Sequence, residues 1–271
     1  MNVTEGVLVE PRPSRWASLV RLALADSWSM LRHPLMLVAL VLTELATFSQ
    51  SYDGPRPAFS AITATQGICF GVLAFFAAHL VAGAGGRAGA EELLAPVPIG
   101  RATRTGALCL AAIGPFAVAC LLQAEALGVF VATGVELPRL PTVWELGAGP
   151  LCVLGACLLG VAVARWTALP GMPLMVMIGL VSFGLLVNDR LDSVHLLGFN
   201  PEVVLWGPEP YLKVEGFIPG SMPWHAAYLL SLSLGAAALA ILHDSPHRRL
   251  WLGIGTALLL AAVTSGYLSL P

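Results

Sequence analysis

Charged residues are scarce in this sequence. Of 271 residues, 14 are Lys or Arg and 16 are Asp or Glu, and Lys213 is the only lysine. The basic residues are scattered and the net charge is -2, which excludes the clustered positive surface of a nucleic-acid-binding protein. A phosphate-binding loop needs a lysine in G-x-x-x-x-G-K-[ST], and Lys213 lies in YLKVEG instead. The sequence therefore predicts no ATP hydrolysis and no catalytic site in this chain.

Cysteines are few, and their spacing matches no metal-binding motif. All five lie within apolar stretches, and no pair has the C-x-x-C spacing of a metal site. Small, buried, apolar side chains are their simplest interpretation. We therefore expect no disulfide, no metal site and no cofactor in this chain.

Apolar residues are abundant, at 57% of the chain with a mean hydropathy of +0.80. These values are typical of an all-α polytopic membrane protein rather than a soluble domain. About 20 apolar residues in a helix cross a hydrocarbon core of about 30 Å. The predicted spans lie near residues 35–49, 60–84, 105–133, 148–168, 171–187, 224–242 and 250–270.

The basic residues predict how the spans are oriented. Arg and Lys near span ends favour the cytoplasmic side, and a cytoplasmic N-terminus places ten of the fourteen there. Residues 1–14 are acidic and interrupted by proline, so we expect a cytoplasmic tail rather than a secretory signal. Abundant Ala, Gly, Leu and Arg hint at a high-GC bacterial genome. We therefore expect a multi-pass protein of the bacterial cytoplasmic (inner) membrane.

Residues 15–33 have the apolar periodicity of an amphipathic helix. Trp16 and Trp28 lie on its apolar face, and Pro34 disfavours helical geometry at His33, which ends the helix. Such a helix suits the cytoplasmic interface of a membrane. It could be an anchor alone or a lever against a bound ATPase, and the two roles are compatible.

The most informative segment is a polar island at residues 85–104, between two long apolar spans. Glu91 and Glu92 open a short helical turn, which Pro96 and Pro98 end before Arg101 leads into the third span. A compact charged turn between two spans could transmit force from a cytoplasmic partner. An ordinary connecting loop in water would have the same composition.

This island resembles the coupling loop of the membrane subunits of type-2 ABC exporters. In that family the loop between the second and third spans carries a glycine, glutamates, paired leucines, a proline, a small residue and an arginine. The corresponding residues are Gly89, Glu91, Glu92, Leu93, Leu94, Pro96, Val97, Pro98, Gly100 and Arg101. Residues 15–33 are similar to the interfacial connecting helix of the family.

The resemblance implies a fold and a set of partners. Residues 34–271 would form a six-helix type-2 ABC exporter transmembrane domain, with residues 250–270 as an additional seventh helix that departs from the family. The chain would be a permease subunit, docked through residues 85–104 on a separate ABC ATPase that binds ATP and Mg. A second permease half, the same or a related chain, would complete the translocation path.

Residues 188–222 form the longest hydrophilic connection, and apolar clusters occur within it. In the family this position holds short re-entrant helices on the outer side. Non-helical backbone at membrane depth requires cover from protein or a cavity. The alternative is an amphipathic loop in the outer interface, with aromatic residues in the headgroup region.

Three polar residues lie inside predicted spans: Glu44 in the first, and Gln123 and Glu125 in the third. A charge in the bilayer centre costs several kcal/mol, so such residues usually face protein or water. They could contact a transported substrate or carry protons. They could equally form hydrogen bonds between helices or subunits.

Three functions remain open on the sequence. The first is the ABC exporter permease. The second is an ion- or proton-coupled transporter or channel that uses Glu44 and Glu125, although the internal repeats common in such proteins are not found. The third is a non-transporting membrane subunit of a larger complex.

Overall fold

The structure is a computed structural model that describes residues 15–49, 58, 61–62, 65–87, 100–137, 139–167, 169–191 and 221–269. All regular secondary structure in these residues is helical. The predicted tail 1–14 lies outside them, as do residues 88–99 of the polar island and residues 192–220 of the predicted outer loop.

Ten α-helices and one π-helical turn are defined within the described part of the chain. The π-helical turn Gln66–Gly71 is followed directly by the helix that begins at Val72. The helices are α1 (Arg15–Leu31), α2 (Pro34–Phe48), α3 (Val72–Ala82), α4 (Ala84–Arg87), α5 (Arg101–Ala111), α6 (Ile113–Thr133), α7 (Val143–Trp166), α8 (Met172–Leu191), α9 (Met222–Asp244) and α10 (Arg248–Ser269).

Four of these elements are long and apolar enough to cross a membrane: α5 continued by α6, α7, α9 and α10. A fifth crossing is formed if α1 and α2, which meet at an angle of 59°, count as one broken span. The predicted all-α membrane architecture is therefore confirmed at this level. The C-terminal helix predicted at 250–270 is present as α10, with the length and composition of a span.

The junction between α1 and α2 follows from His33 and Pro34. His33 has extended backbone angles (φ -64°, ψ 137°), as expected for a residue before proline. Its ring nitrogen Nδ1 accepts a hydrogen bond from the backbone amide of Leu35 at 3.3 Å. Pro34 occupies the first turn of α2, where its missing N–H costs no hydrogen bond. Helix α1 ends at Leu31, two residues before the predicted boundary at residue 33.

Helix α1 packs against α5 with a face that includes polar residues. Ala23 and Met30 are buried, and Ser27 lies so close to Gly114 that a Cβ there would come within 1.9 Å of the serine hydroxyl. Trp16 and Trp28 on the predicted apolar face are instead 70% and 58% exposed. Two exposed tryptophans on a helix that is fixed to the bundle are suited to contact with a membrane interface.

Helix α7 corresponds to the predicted fourth span, near residues 148–168, but the helix has an earlier start. Helix α7 begins five residues earlier, because Thr142 and Glu145 form a capping box. The buried Glu145 carboxylate accepts hydrogen bonds from the Thr142 amide at 2.6 Å and from both terminal nitrogens of Arg139, at 3.0 and 2.6 Å. The third span likewise begins at Arg101 rather than at residue 105.

Helix α7 lies at the centre of the bundle. It is the most buried of the four long elements, and α3, α6 and α9 all pack against it. Apolar or small residues lie on all of its sides, as expected for a helix surrounded by protein. A Cβ at Gly160 would lie 2.4 Å from the Phe75 carbonyl oxygen and 3.1 Å from the His79 amide nitrogen. Glycine is therefore what allows α7 to touch the backbone of α3.

Hydrogen bonds at the helix ends establish the relative directions. The indole nitrogen of Trp166 donates to the Leu239 carbonyl at 2.9 Å, so α7 and α9 end together and run parallel. The Ser221 amide donates to the Ser269 carbonyl at 3.1 Å, so α9 and α10 are antiparallel. We call the region where α7 and α9 end, and where α5 and α10 begin, the Asp244 end of the bundle. These directions agree with the alternating order of the predicted spans.

Replacing Gly160 with alanine should destabilise the bundle, because the added methyl group meets backbone atoms that cannot rotate away. Overpacking of this kind typically costs about 1–3 kcal/mol. The matched control is Gly147→Ala in the same helix, where a Cβ meets nothing within 4 Å. Thermal unfolding in detergent should show a lower Tm for Gly160→Ala than for the parent protein, whereas Gly147→Ala should not lower the Tm. Equal Tm values for the two variants would show that the α3–α7 contact adjusts freely.

Candidate functional site

The Asp244 carboxylate is the centre of a polar cluster at the Asp244 end. Thr105 Oγ1 in α5 donates a hydrogen bond to Asp244 Oδ2. Arg165 Nε in α7 lies 3.7 Å from the same oxygen, and His243 Nδ1 lies 2.8 Å from Oδ1. The Asp244 side chain is only 9% exposed, so its charge depends on these neighbours. We call these four residues the Asp244 cluster.

The cluster joins three helices that are distant in sequence. Thr105 and Asp244 are separated by 139 residues, yet their side chains meet in a hydrogen bond. Asp26 in α1 lies near enough to Arg165 for the two charges to attract. Trp166 stacks edge-on against His243, with ring centroids 5.4 Å apart. A partly buried network in which each member contacts another is costly to open, so α5, α7 and α9 are held together at this end of the bundle.

The polar island enters the bundle through α5. Gly100 precedes this helix with an extended backbone and provides no side-chain cap, and Arg101 at its first position is exposed. One helical turn later Thr105 is fully buried against Asp244. Arg101 is therefore one turn away from the Asp244 cluster. The other residues predicted to couple to an ATPase lie outside the described residues: Glu91, Glu92, Leu93, Pro96 and Pro98.

The two glutamates predicted inside spans lie on neighbouring helices. Glu44 in α2 is half-buried, and Glu125 in α6 is exposed. One turn further along, Phe48 and Phe130 pack edge to face with centroids 5.9 Å apart, so the two helices are in contact there. Glu44 and Glu125 therefore lie on neighbouring helices, each about one turn before this aromatic contact.

Gln123 has a different environment from Glu125. It is buried, and its side-chain amide donates to the Ile62 carbonyl. Gln66, the first residue of the π-helical turn, is also buried, and one orientation of its amide donates to the Ala119 carbonyl at 2.9 Å and pairs with Gln123. The two glutamines hold the π-helical turn against α6. Single π-helical turns often occur at functional sites because they displace side chains from the regular helical register.

The Asp244 cluster contains residues that the sequence analysis did not single out. Asp244 and Arg165 fall at the very ends of predicted spans, where charged residues are ordinary. Thr105 resembles any threonine in an apolar helix, and nothing in its spacing indicates a partner so distant in sequence. The sequence does predict that Asp244 and Arg165 lie on the same side of the membrane. This prediction allows the two residues to be near each other but does not predict that they are in contact.

Comparison of the chain with protein-family models, with curated proteins and with solved structures gives no match. The functional interpretation therefore depends on the geometry of the Asp244 cluster and on the sequence of the polar island.

Replacing Thr105 with valine should weaken the Asp244 end, because valine keeps the shape of threonine and removes the hydroxyl that donates to Asp244. Leaving a mostly buried carboxylate oxygen without its donor typically costs about 1–3 kcal/mol. Thr105→Ser keeps the hydroxyl and should retain most of the stability. Thermal unfolding of the purified protein measures the difference.

The control is Thr133→Val, because the Thr133 hydroxyl is exposed and donates to the Val129 carbonyl of its own helix at 2.8 Å. That change should alter stability by no more than about 0.5 kcal/mol. If Thr105→Val and Thr133→Val unfolded at the same temperature, the Thr105–Asp244 hydrogen bond would make no measurable contribution to stability.

Proposed function

We propose that this chain is the membrane-spanning permease subunit of an ATP-driven exporter of the type-2 ABC class. The polar island at residues 85–104 supplies the resemblance to the coupling loop of that class. The observation that carries the proposal is the position of α5. This helix begins at the last residues of the island and buries Thr105 in the Asp244 cluster one turn later.

This arrangement is mechanically suited to coupling. A force applied to the island would act on Arg101 and move α5 as a rigid helix. Thr105 would carry that movement to Asp244 and, through Arg165, to the central helix α7. Packed helices with discrete hydrogen-bonded arrangements respond to such a force by switching position rather than by bending continuously. The Asp244 cluster would then be the point at which the docked subunit acts on the translocation path.

The proposal assigns the chemistry to a partner. The chain lacks a phosphate-binding loop, so ATP and Mg would be bound and used by a separate cytoplasmic ABC ATPase. A second permease half, the same or a related chain, would supply the other side of the path. Because α1 packs against α5, the amphipathic helix α1 would move together with α5 and the polar island.

Charge reversal tests the docking role. Glu92→Arg combined with Arg101→Glu should abolish co-purification of the chain with an ATPase encoded in a neighbouring gene, because both side chains would then repel their partners. Arg190→Glu, predicted on the opposite side of the membrane, is the control and should leave the association intact. An ATPase that still co-purifies with the double variant and still drives transport would contradict the proposal.

A second candidate function is favoured by the proximity of Glu44 and Glu125. Carboxylates on two contacting helices are suited to bind a cation or to carry protons, as in ion- or proton-coupled transporters. They lie towards the opposite end of the bundle from the Asp244 cluster, beside Phe48 and Phe130. This function would need no ATPase.

Glutamine substitution separates the two functions. Under the exporter proposal, Glu44→Gln and Glu125→Gln should leave ATP-dependent transport in proteoliposomes within about twofold of the parent, because neutral amides still form hydrogen bonds between helices. Under ion coupling, either change should abolish transport driven by a proton gradient. Gradient-driven transport with ATP depleted would favour the second function over the first.

A further inference from the structure

A groove opens on the outer surface of the bundle between α9 and α10. Its volume is about 440 Å³, which lies within the range of ligand pockets, about 300–1,000 Å³. Its walls are apolar apart from Ser231 and Thr256, and it runs along α10 from Trp251 to Leu259, a distance of about 12 Å. Leu259 is 59% exposed, so the groove opens sideways, towards the surroundings of the helices.

Two glycines on facing helices keep this groove open. Gly235 in α9 and Gly255 in α10 both line it, and a Cβ added at either position would meet nothing within 4 Å. Their role is thus the opposite of that of Gly160, where glycine permits contact between two helix backbones. Here the missing side chains leave space that the protein does not fill. Unfilled apolar walls forfeit dispersion contacts, so an apolar chain that fits the groove gains free energy by entering.

The groove approaches a concentration of positive charge at the Asp244 end. Arg248 and Arg249 are exposed at the start of α10, less than one turn before Trp251. His247 precedes them and is exposed as well. Within the described part of the chain, neither arginine forms an ion pair with a carboxylate. Guanidinium groups beside a membrane helix attract anionic lipid headgroups and pair with phosphate oxygens.

We propose that the α9–α10 groove binds one acyl chain of an anionic phospholipid, whose phosphate lies against Arg248 and Arg249. The apolar walls would contact the acyl chain, and the two arginines would pair with the anionic headgroup. A zwitterionic lipid would gain only the contacts with the apolar walls. The proposal goes beyond the proposed function and does not depend on it, since it concerns only α9, α10 and the leaflet at the Asp244 end. A second copy of the chain is the competing occupant.

The test places the purified full-length protein in nanodiscs of phosphatidylcholine that contain a small fraction of phosphatidylglycerol with brominated acyl chains. Bromine quenches tryptophan fluorescence on contact, and Trp251 lines the groove. Subtracting the signal of a Trp251→Phe variant isolates the quenching of Trp251 from that of the other six tryptophans. Brominated phosphatidylcholine at the same fraction measures contact with ordinary surrounding lipid.

Phosphatidylglycerol should quench Trp251 at lower fractions than phosphatidylcholine does. Arg248→Gln and Arg249→Gln should each reduce this preference about fivefold, equivalent to about 1 kcal/mol per basic residue. Gly255→Leu should reduce quenching by either lipid, because the leucine side chain occupies the groove. Gly253→Leu is the matched control: its Cβ also meets nothing within 4 Å, but the residue does not line the groove.

Three outcomes would overturn the proposal. Equal quenching by the two lipids would show ordinary surrounding lipid only. Quenching that is identical in Gly255→Leu and Gly253→Leu would place the lipid outside the groove. If two differently tagged copies co-purified and only Gly255→Leu separated them, the occupant would be a second copy of the chain.

Discussion

The Asp244 carboxylate is the constraint on which the arrangement of the helices depends. It lies where α9 ends, and it is reached by a hydroxyl from α5, a guanidinium from α7 and a ring nitrogen from its neighbour in sequence. Inside an apolar bundle these contacts cannot be exchanged for water without a large cost. The charge therefore selects one relative position of α5, α7 and α9, whereas apolar packing alone would tolerate several. Helix α1 joins the same group through Asp26 and Arg165.

Small residues then decide where helices touch and where they stay apart. Gly160 lets the central helix meet the backbone of α3, and Gly114 lets α1 meet the junction of α5 and α6. Gly235 and Gly255 have no neighbour in the position of a side chain, and there the bundle is open. Apolar helices in lipid gain little from excluding the lipid itself, so close packing at selected points stabilises the bundle. One residue type thus produces both close helix contacts and an open groove.

The all-helical class could be predicted from apolar run length, because a membrane helix needs only its own backbone hydrogen bonds and an apolar surface. Of the seven predicted spans, four elements of the described residues, or five with α1 and α2 as one broken span, are long and apolar enough to cross a membrane. Helix starts differ from the predicted span limits where a polar cap adds residues to the helix. The capping box of Thr142 and Glu145 is readable in the sequence TVWE, and it places the start of α7 at Val143 rather than at residue 148. The amphipathic helix α1 was predictable from periodicity, but the face that packs on the bundle through Ser27 was not. That contact depends on Gly114, which is distant in sequence.

The candidate site was harder to predict because none of its residues is unusual in the sequence when each is considered alone. Glu44 and Glu125 stand out in apolar spans, and the structure brings them near each other. Thr105 and Arg165 gain importance only from the fold, which places them at one carboxylate. A charged residue within an apolar run is unusual in any membrane protein, so the sequence alone reveals it. A charged residue at the end of a span is ordinary, and it becomes significant only when the fold buries it away from water. The Asp244 side chain is in the second category, since α5 and α7 cover it.

The Asp244 cluster and the α9–α10 groove lie close enough to influence each other. His243 belongs to the cluster, and Arg248 at the mouth of the groove follows it by only five residues, through the short connection between α9 and α10. A movement of α5 that displaced Asp244 would therefore pull on the end of α9, which forms one wall of the groove. A lipid held in the groove would in turn resist that displacement. Because coupling between two sites is reciprocal in free energy, a lipid that prefers one position of α9 must also bias the position of α5.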